Sequence, residues 1–236
     1  MVMRMFVVAV LMLSFAAAQS VEDVSVDSGD QTYPAYLATP EEQGEYPGIV
    51  LLHSFRGLQD GYKTFTEELA AEGFVVLAVE WQTFSQEPED ATIEQLARDA
   101  ASVLEARDDV GDTLGLTGFC AGGRYTMLFL PQSDVFDAGF AWYGFPKNGD
   151  PAPLDLVAEL DAPLYIAHGS ADEPSPIADI YDYAQALDEA GSYFELKVYQ
   201  GEPHGFMVDG AEIVRSDAAN NAFSELVAFF DRELRE

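Results

Sequence analysis

The stretch Leu114-Gly115-Leu116-Thr117-Gly118-Phe119-Cys120-Ala121-Gly122-Gly123-Arg124-Tyr125 decides how this chain is read. A short apolar run enters Gly-x-Cys-x-Gly-Gly, and a helix-forming stretch leaves it. That is the layout of a nucleophile elbow with sulfur in place of the usual serine oxygen. The nucleophile of such an elbow sits on a strained strand-to-helix turn, so the residues two before and two after it must be nearly free of side chain. The turn also sets the nucleophile at a helix N-terminus, where the dipole and free N–H groups favour a thiolate and an oxyanion beside it. The competing reading makes Cys120 a small buried hydrophobe and the glycines ordinary packing glycines.

Outward from the elbow, strands and helices alternate. Buried strands are expected at Gly48–Leu52, Phe74–Val79, Leu114–Thr117, Ala138–Tyr143, Leu164–His168 and Phe194–Tyr199, with an edge strand at Tyr33–Ala38. Apolar residues recur at helical spacing in Tyr62–Glu72, Thr92–Ala106, Ala121–Leu130, Ile177–Ala190 and Ser216–Leu234. Repeated strand–helix units of this length predict a single-domain α/β fold, a mostly parallel central sheet with helices on both faces. No linker, internal repeat or low-complexity tract interrupts it.

In such a sheet the chemistry lies at the carboxyl ends of the strands. Cys120 follows one strand. The loop after Leu164–His168 reads Gly169-Ser170-Ala171-Asp172-Glu173-Pro174, and the loop after Leu196–Tyr199 reads Gln200-Gly201-Glu202-Pro203-His204-Gly205-Phe206. A thiol, a carboxylate and an imidazole therefore occur in the order nucleophile, acid, base, which is the α/β-hydrolase order. Of the three histidines, only His204 lies beyond the candidate acid. Asp172 heads its loop, with Glu173 and Asp179 as competing acids. His53 ends the Gly48–Leu52 strand, where these folds place a second oxyanion donor. The oxyanion hole is accordingly expected at the backbone N–H groups of Ala121 and Phe55. Thiolates displace alkoxide or enolate more readily than amine, so esters or lactones fit better than peptides.

Composition sets the setting. Met1 to Ser20 has a basic start at Arg4, an apolar run from Met5 to Phe15 and small residues at Ala16-Ala17-Ala18, the order of a secretory signal peptide. The run is too short to span a bilayer. Removal after residue 18 would leave one domain from 19 to 236, secreted or periplasmic. A single cysteine allows no internal disulfide, and a lone thiol in an oxidising compartment is a liability unless it has a chemical use. Forty-two acids against eleven bases give a net charge of −31. That surface repels nucleic acid and anionic membranes. The acids are scattered and form no calcium-loop pattern, which favours a salt-adapted surface over a cation-binding or basic-partner surface. Apolar content of 48% excludes disorder.

Taken together, His53-Ser54-Phe55-Arg56-Gly57-Leu58, Ala70-Ala71-Glu72-Gly73-Phe74, Gly118 to Gly123, Trp142-Tyr143-Gly144, the Asp172 loop and His204-Gly205-Phe206 resemble the dienelactone hydrolase family over nearly the whole chain after the leader. The resemblance implies a small α/β-hydrolase with a Cys–Asp–His triad at Cys120, Asp172 and His204, acting on a small ester or lactone without metal or organic cofactor. Arg56, Tyr143 and Phe206 are the expected substrate contacts, and the expected state is a monomer. Two positions depart from members that act on dienelactone. Ser54 stands where they carry Glu, and Met207-Val208-Asp209 stands where they carry an Arg that binds the substrate carboxylate. A peptidase or acyltransferase on the same fold, or a non-catalytic binding module, are the alternative functions.

Overall fold

Eight strands form one sheet in the order β1-β2-β4-β3-β5-β6-β7-β8. The computed structural model describes residues 19–235, so the expected signal peptide lies outside the described residues. The strands are β1 (Gln19–Ser28), β2 (Gln31–Pro40), β3 (Tyr46–Leu52), β4 (Val75–Val79), β5 (Val110–Phe119), β6 (Ala138–Trp142), β7 (Leu164–Gly169) and β8 (Phe194–Tyr199). From β4 to β8 all neighbours are parallel, whereas β1 and β2 run antiparallel. Strands buried on both faces need continuous apolar runs. Ile49 to Leu52 and Val75 to Val79 supply them, each fully buried.

Helices α1 (Asp60–Ala71) and α5 (Asp217–Leu234) cover one face, and α2 (Asp90–Glu105), α3 (Ala121–Phe129) and α4 (Ile177–Ala190) the other. Ile93, Leu96, Ala97, Ala100 and Leu104 of α2 are all buried, as its apolar spacing requires. Ser216 caps α5 by accepting the Ala219 N–H at 3.0 Å. No helix among the described residues is long and apolar enough to cross a membrane.

One expectation needs correcting. Tyr33–Ala38 is not the sheet edge, because β1 pairs with β2 along ten residues and takes that position. An edge strand faces water on most of its surface, so β1 carries Ser20, Glu22, Asp23, Ser25 and Asp27 and buries only Val26 and Ser28. It shows no apolar run to read. A short hairpin, β9 (Val208–Asp209) with β10 (Glu212–Ile213), adds a second unexpected element just past His204.

Candidate active site

The site begins with the backbone of Cys120. Its φ is +59° and ψ −110°, a region that L residues rarely occupy, at the junction of β5 and α3. Three glycines make the turn possible by allowing main chains to touch. A Cβ on Gly118 would lie 2.2 Å from the Gly122 carbonyl oxygen, one on Gly122 2.0 Å from that of Leu52, and one on Gly123 2.3 Å from that of Trp142. The Cys120 N–H donates to the Trp142 carbonyl at 3.0 Å, and the Cys120 carbonyl accepts from Arg124 at 2.9 Å, so the elbow is tied to both β6 and α3. The Ala121 N–H begins α3, where first-turn donors have no partner within the helix.

The loops after β7 and β8 bring two more groups to this point. Asp172 is buried with its carboxylate fully enclosed. Its Oδ1 accepts from the Ser175 N–H at 2.8 Å, and its Oδ2 accepts from His204 Nδ1 at 2.7 Å. Cys120 lines the same cavity as His204. Burial works against the His204 imidazolium, but Asp172 and Cys120 outweigh it and raise its pKa to about 9. The two competing acids point elsewhere. Glu173 is exposed, and Asp179 pairs with Lys147 at 2.7 Å.

These groups open onto a cavity of about 590 Å³ lined by Cys120, His204, Tyr143, Phe206, Phe55 and Arg56, among others. Tyr143 and Phe206 are buried in its wall, and Phe55 is exposed at 48%. Tyr62 and Phe145 extend the aromatic lining, while Glu202 and Asp209 bring acid to it. The guanidinium of Arg56 has no ion-pair or hydrogen-bond partner among the described residues, although eight of the other described bases pair with carboxylates. Ser54 is buried in the same lining, and its hydroxyl accepts from the Arg56 N–H at 3.3 Å. A larger groove beside Glu41, Glu42, Glu45, Arg107, Asp108 and Asp109 contains none of this chemistry. Among the described residues no group of three or more His, Cys, Asp or Glu clusters closely enough to hold a metal ion.

Two supporting contacts were not legible beforehand. At the end of β4, Glu80 grips the loop that carries Phe55 from both sides: Oε1 lies 3.0 Å from His53 Nε2, and Oε2 accepts from the Leu58 N–H at 2.9 Å. Burial opposes the Glu80 carboxylate, but His53 and the N–H groups of Leu58 and Gln82 hold its pKa below the ordinary value. His53 stacks on Trp81 at 4.9 Å, and Trp81 Nε1–H donates to the His53 carbonyl at 3.1 Å. On the acid side, His168 is fully buried, with Nε2 donating to the Ser175 carbonyl at 2.8 Å and lying 3.6 Å from Asp172. Burial pushes its pKa down, which keeps it a neutral donor behind the carboxylate.

Comparison with known proteins agrees with this architecture. The model of the Dienelactone hydrolase family matches residues 33–234. A "Putative carboxymethylenebutenolidase" of Methylorubrum extorquens is 30% identical, over 88% of this chain and 79% of that protein. One of the same name from Escherichia coli K12 is 28% identical over 87% and 84%. Among solved structures, a "Putative Dienelactone Hydrolase" from Klebsiella pneumoniae superposes with a TM-score of 0.82 at 25% identity, covering 91% of this chain and 99% of its own. An acylaminoacyl peptidase from Pyrococcus horikoshii, 18% identical with a TM-score of 0.79, shares the fold over 42% of its length.

Proposed function

The chain belongs to the dienelactone hydrolase family, and on that premise we propose that it cleaves a small ester or lactone through a Cys120 thiolate and an acyl-enzyme. As a member it is a hydrolase of lactones or esters. The observation that supports the finer reading most is that Cys120, on a strained elbow, and His204 line one cavity while the enclosed Asp172 holds His204 Nδ1.

In this reading the Cys120 proton passes to His204 Nε2, whose Nδ1–H is held by Asp172. Sulfur attacks the carbonyl carbon, and the oxyanion is received by the N–H groups of Ala121 and Phe55. Collapse breaks the carbon–oxygen bond, and His204 returns the proton to the departing alkoxide or enolate. His204 then draws a proton from water, hydroxide adds to the thioester, and the acid leaves with the thiolate restored. Tyr143 and Phe206 shape the apolar wall, and the unpaired Arg56 offers a cation to a polar end of the substrate. Export belongs to the same proposal: Met1 to Ala18 reads as a signal peptide, so protein secreted by its host should begin near Gln19 by intact mass.

The test is a panel of p-nitrophenyl esters, lactones and carboxylate-bearing esters assayed at low and high salt. Turnover of at least one ester or lactone, abolished by iodoacetamide and protected by substrate, is expected. No turnover across the panel would overturn the reading.

A further inference from the structure

Tyr143 is, with Cys120, one of two non-glycine residues with positive φ among the described residues, at +37°. For a bulky side chain that conformation is strained and persists only where the surroundings impose it. Here the elbow imposes it. Trp142 accepts the Cys120 N–H, Tyr143 donates its own N–H to the Ala167 carbonyl at 2.9 Å, and Gly144 presses on Gly123, where a Cβ would lie 2.7 Å from the carbonyl carbon. The strain delivers the phenol ring to the cavity wall, 1% exposed, edge-on to His204 at 5.0 Å and against Phe206 at 5.6 Å.

The hydroxyl at the end of that ring has no side-chain partner among the described residues. No acceptor among the described residues lies within hydrogen-bond distance of it, so the phenol's own proton is unused. Burial, with Tyr62 and Cys120 beside it, pushes the phenol pKa well above its ordinary value, so the proton stays on oxygen. A buried hydroxyl with an idle proton destabilises a fold, and phenylalanine would fill the same space without that cost. Strain and an idle donor therefore coincide on one residue in the wall of the reaction cavity.

We propose that the Tyr143 hydroxyl is a catalytic hydrogen-bond donor to an oxygen of the bound ester or lactone, engaged only when substrate fills the cavity. The inference rests on the ester or lactone hydrolase reading above. A fixed donor aimed at developing charge in a water-poor site stabilises the transition state more than the ground state. The group therefore destabilises the empty enzyme and assists the occupied one.

Tyr143→Phe tests this, with Tyr183→Phe as control, since Tyr183 is the core's other fully buried phenol without a partner and lies outside the cavity. Both variants should melt at or above the wild-type temperature. Tyr143→Phe should slow single-turnover acylation by p-nitrophenyl acetate about 10- to 100-fold, with KM nearly unchanged and Cys120 alkylated by iodoacetamide at the wild-type rate. Tyr183→Phe should acylate like wild type. Unchanged acylation in Tyr143→Phe overturns the proposal, and so does a parallel loss of alkylation, which would assign the hydroxyl to the thiol instead of the substrate. A wild type inert toward the whole ester panel would instead overturn the hydrolase reading, a distinct result.

Discussion

Replacing Asp172 with asparagine tests how the imidazole is held. Each carboxylate oxygen has its own donor, the Ser175 N–H at 2.8 Å on Oδ1 and His204 Nδ1 at 2.7 Å on Oδ2. Asparagine has one acceptor oxygen and one NH₂. If the oxygen stays with Ser175, the NH₂ faces His204 and the imidazole must move its proton to Nε2. In that tautomer it cannot take the thiol proton. If the oxygen turns to His204, the buried Ser175 N–H loses its acceptor at a cost of about 1–3 kcal/mol. The first arrangement keeps every hydrogen bond and disarms the base, so it should dominate. The same exchange in serine hydrolases lowers kcat about 10⁴-fold; a thiol gives up its proton more easily, so we expect at least about 100-fold. His204 should also lose its raised pKa of about 9, because burial would then be opposed by Cys120 without Asp172. The assay is kcat/KM for a p-nitrophenyl ester from pH 5 to 10, with Tm measured alongside. Activity within threefold of wild type at unchanged Tm would refute the reasoning, above all if a Glu173 or Asp179 variant were dead.

Three further outcomes are expected. With a net charge of −31, raising salt from 0.01 M to 1 M shortens the Debye length from about 30 Å to about 3 Å and relieves acid–acid repulsion; Tm and activity should rise together, equally in NaCl and KCl, and a flat or falling Tm would contradict a salt-adapted surface. Because the folded-state pKa of His204 is raised to about 9 from 6.5, its stabilising contribution, of order 1–3 kcal/mol, is complete below pH 6.5 and lost as pH rises through 9; Tm should fall over that window by several degrees more in wild type than in His204→Asn. Glu80→Ala frees both ends of the Phe55 loop and should lower kcat about tenfold, whereas Glu80→Gln, whose oxygen can keep Leu58 and whose NH₂ can face His53 Nε2, should keep most activity; equal kcat values would remove the loop clamp from the account.

The elements legible in advance were those whose burial is written as local pattern. The fully buried β3 and β4 read as unbroken apolar runs, and α2 as a stripe, because nothing polar can be tolerated there. The edge strand β1 was missed for the complementary reason, since water covers most of its side chains and no local pattern marks it. The elbow was readable because three backbone contacts each demand glycine, and the order of Cys120, Asp172 and His204 then followed from strand ends. The clamp between Glu80 and His53 joins residues 27 positions apart, and the idle hydroxyl of Tyr143 depends on what surrounds it in space. Neither leaves a mark in spacing or composition.

The most direct test of the central claim is the site of acylation. Protein quenched in acid during turnover of a p-nitrophenyl ester, digested and analysed by mass spectrometry, should carry the acyl group as a thioester on the peptide containing Cys120, and Cys120→Ala should form no adduct and turn over no ester. An acyl group on any other residue, or full activity in Cys120→Ala, would contradict the account.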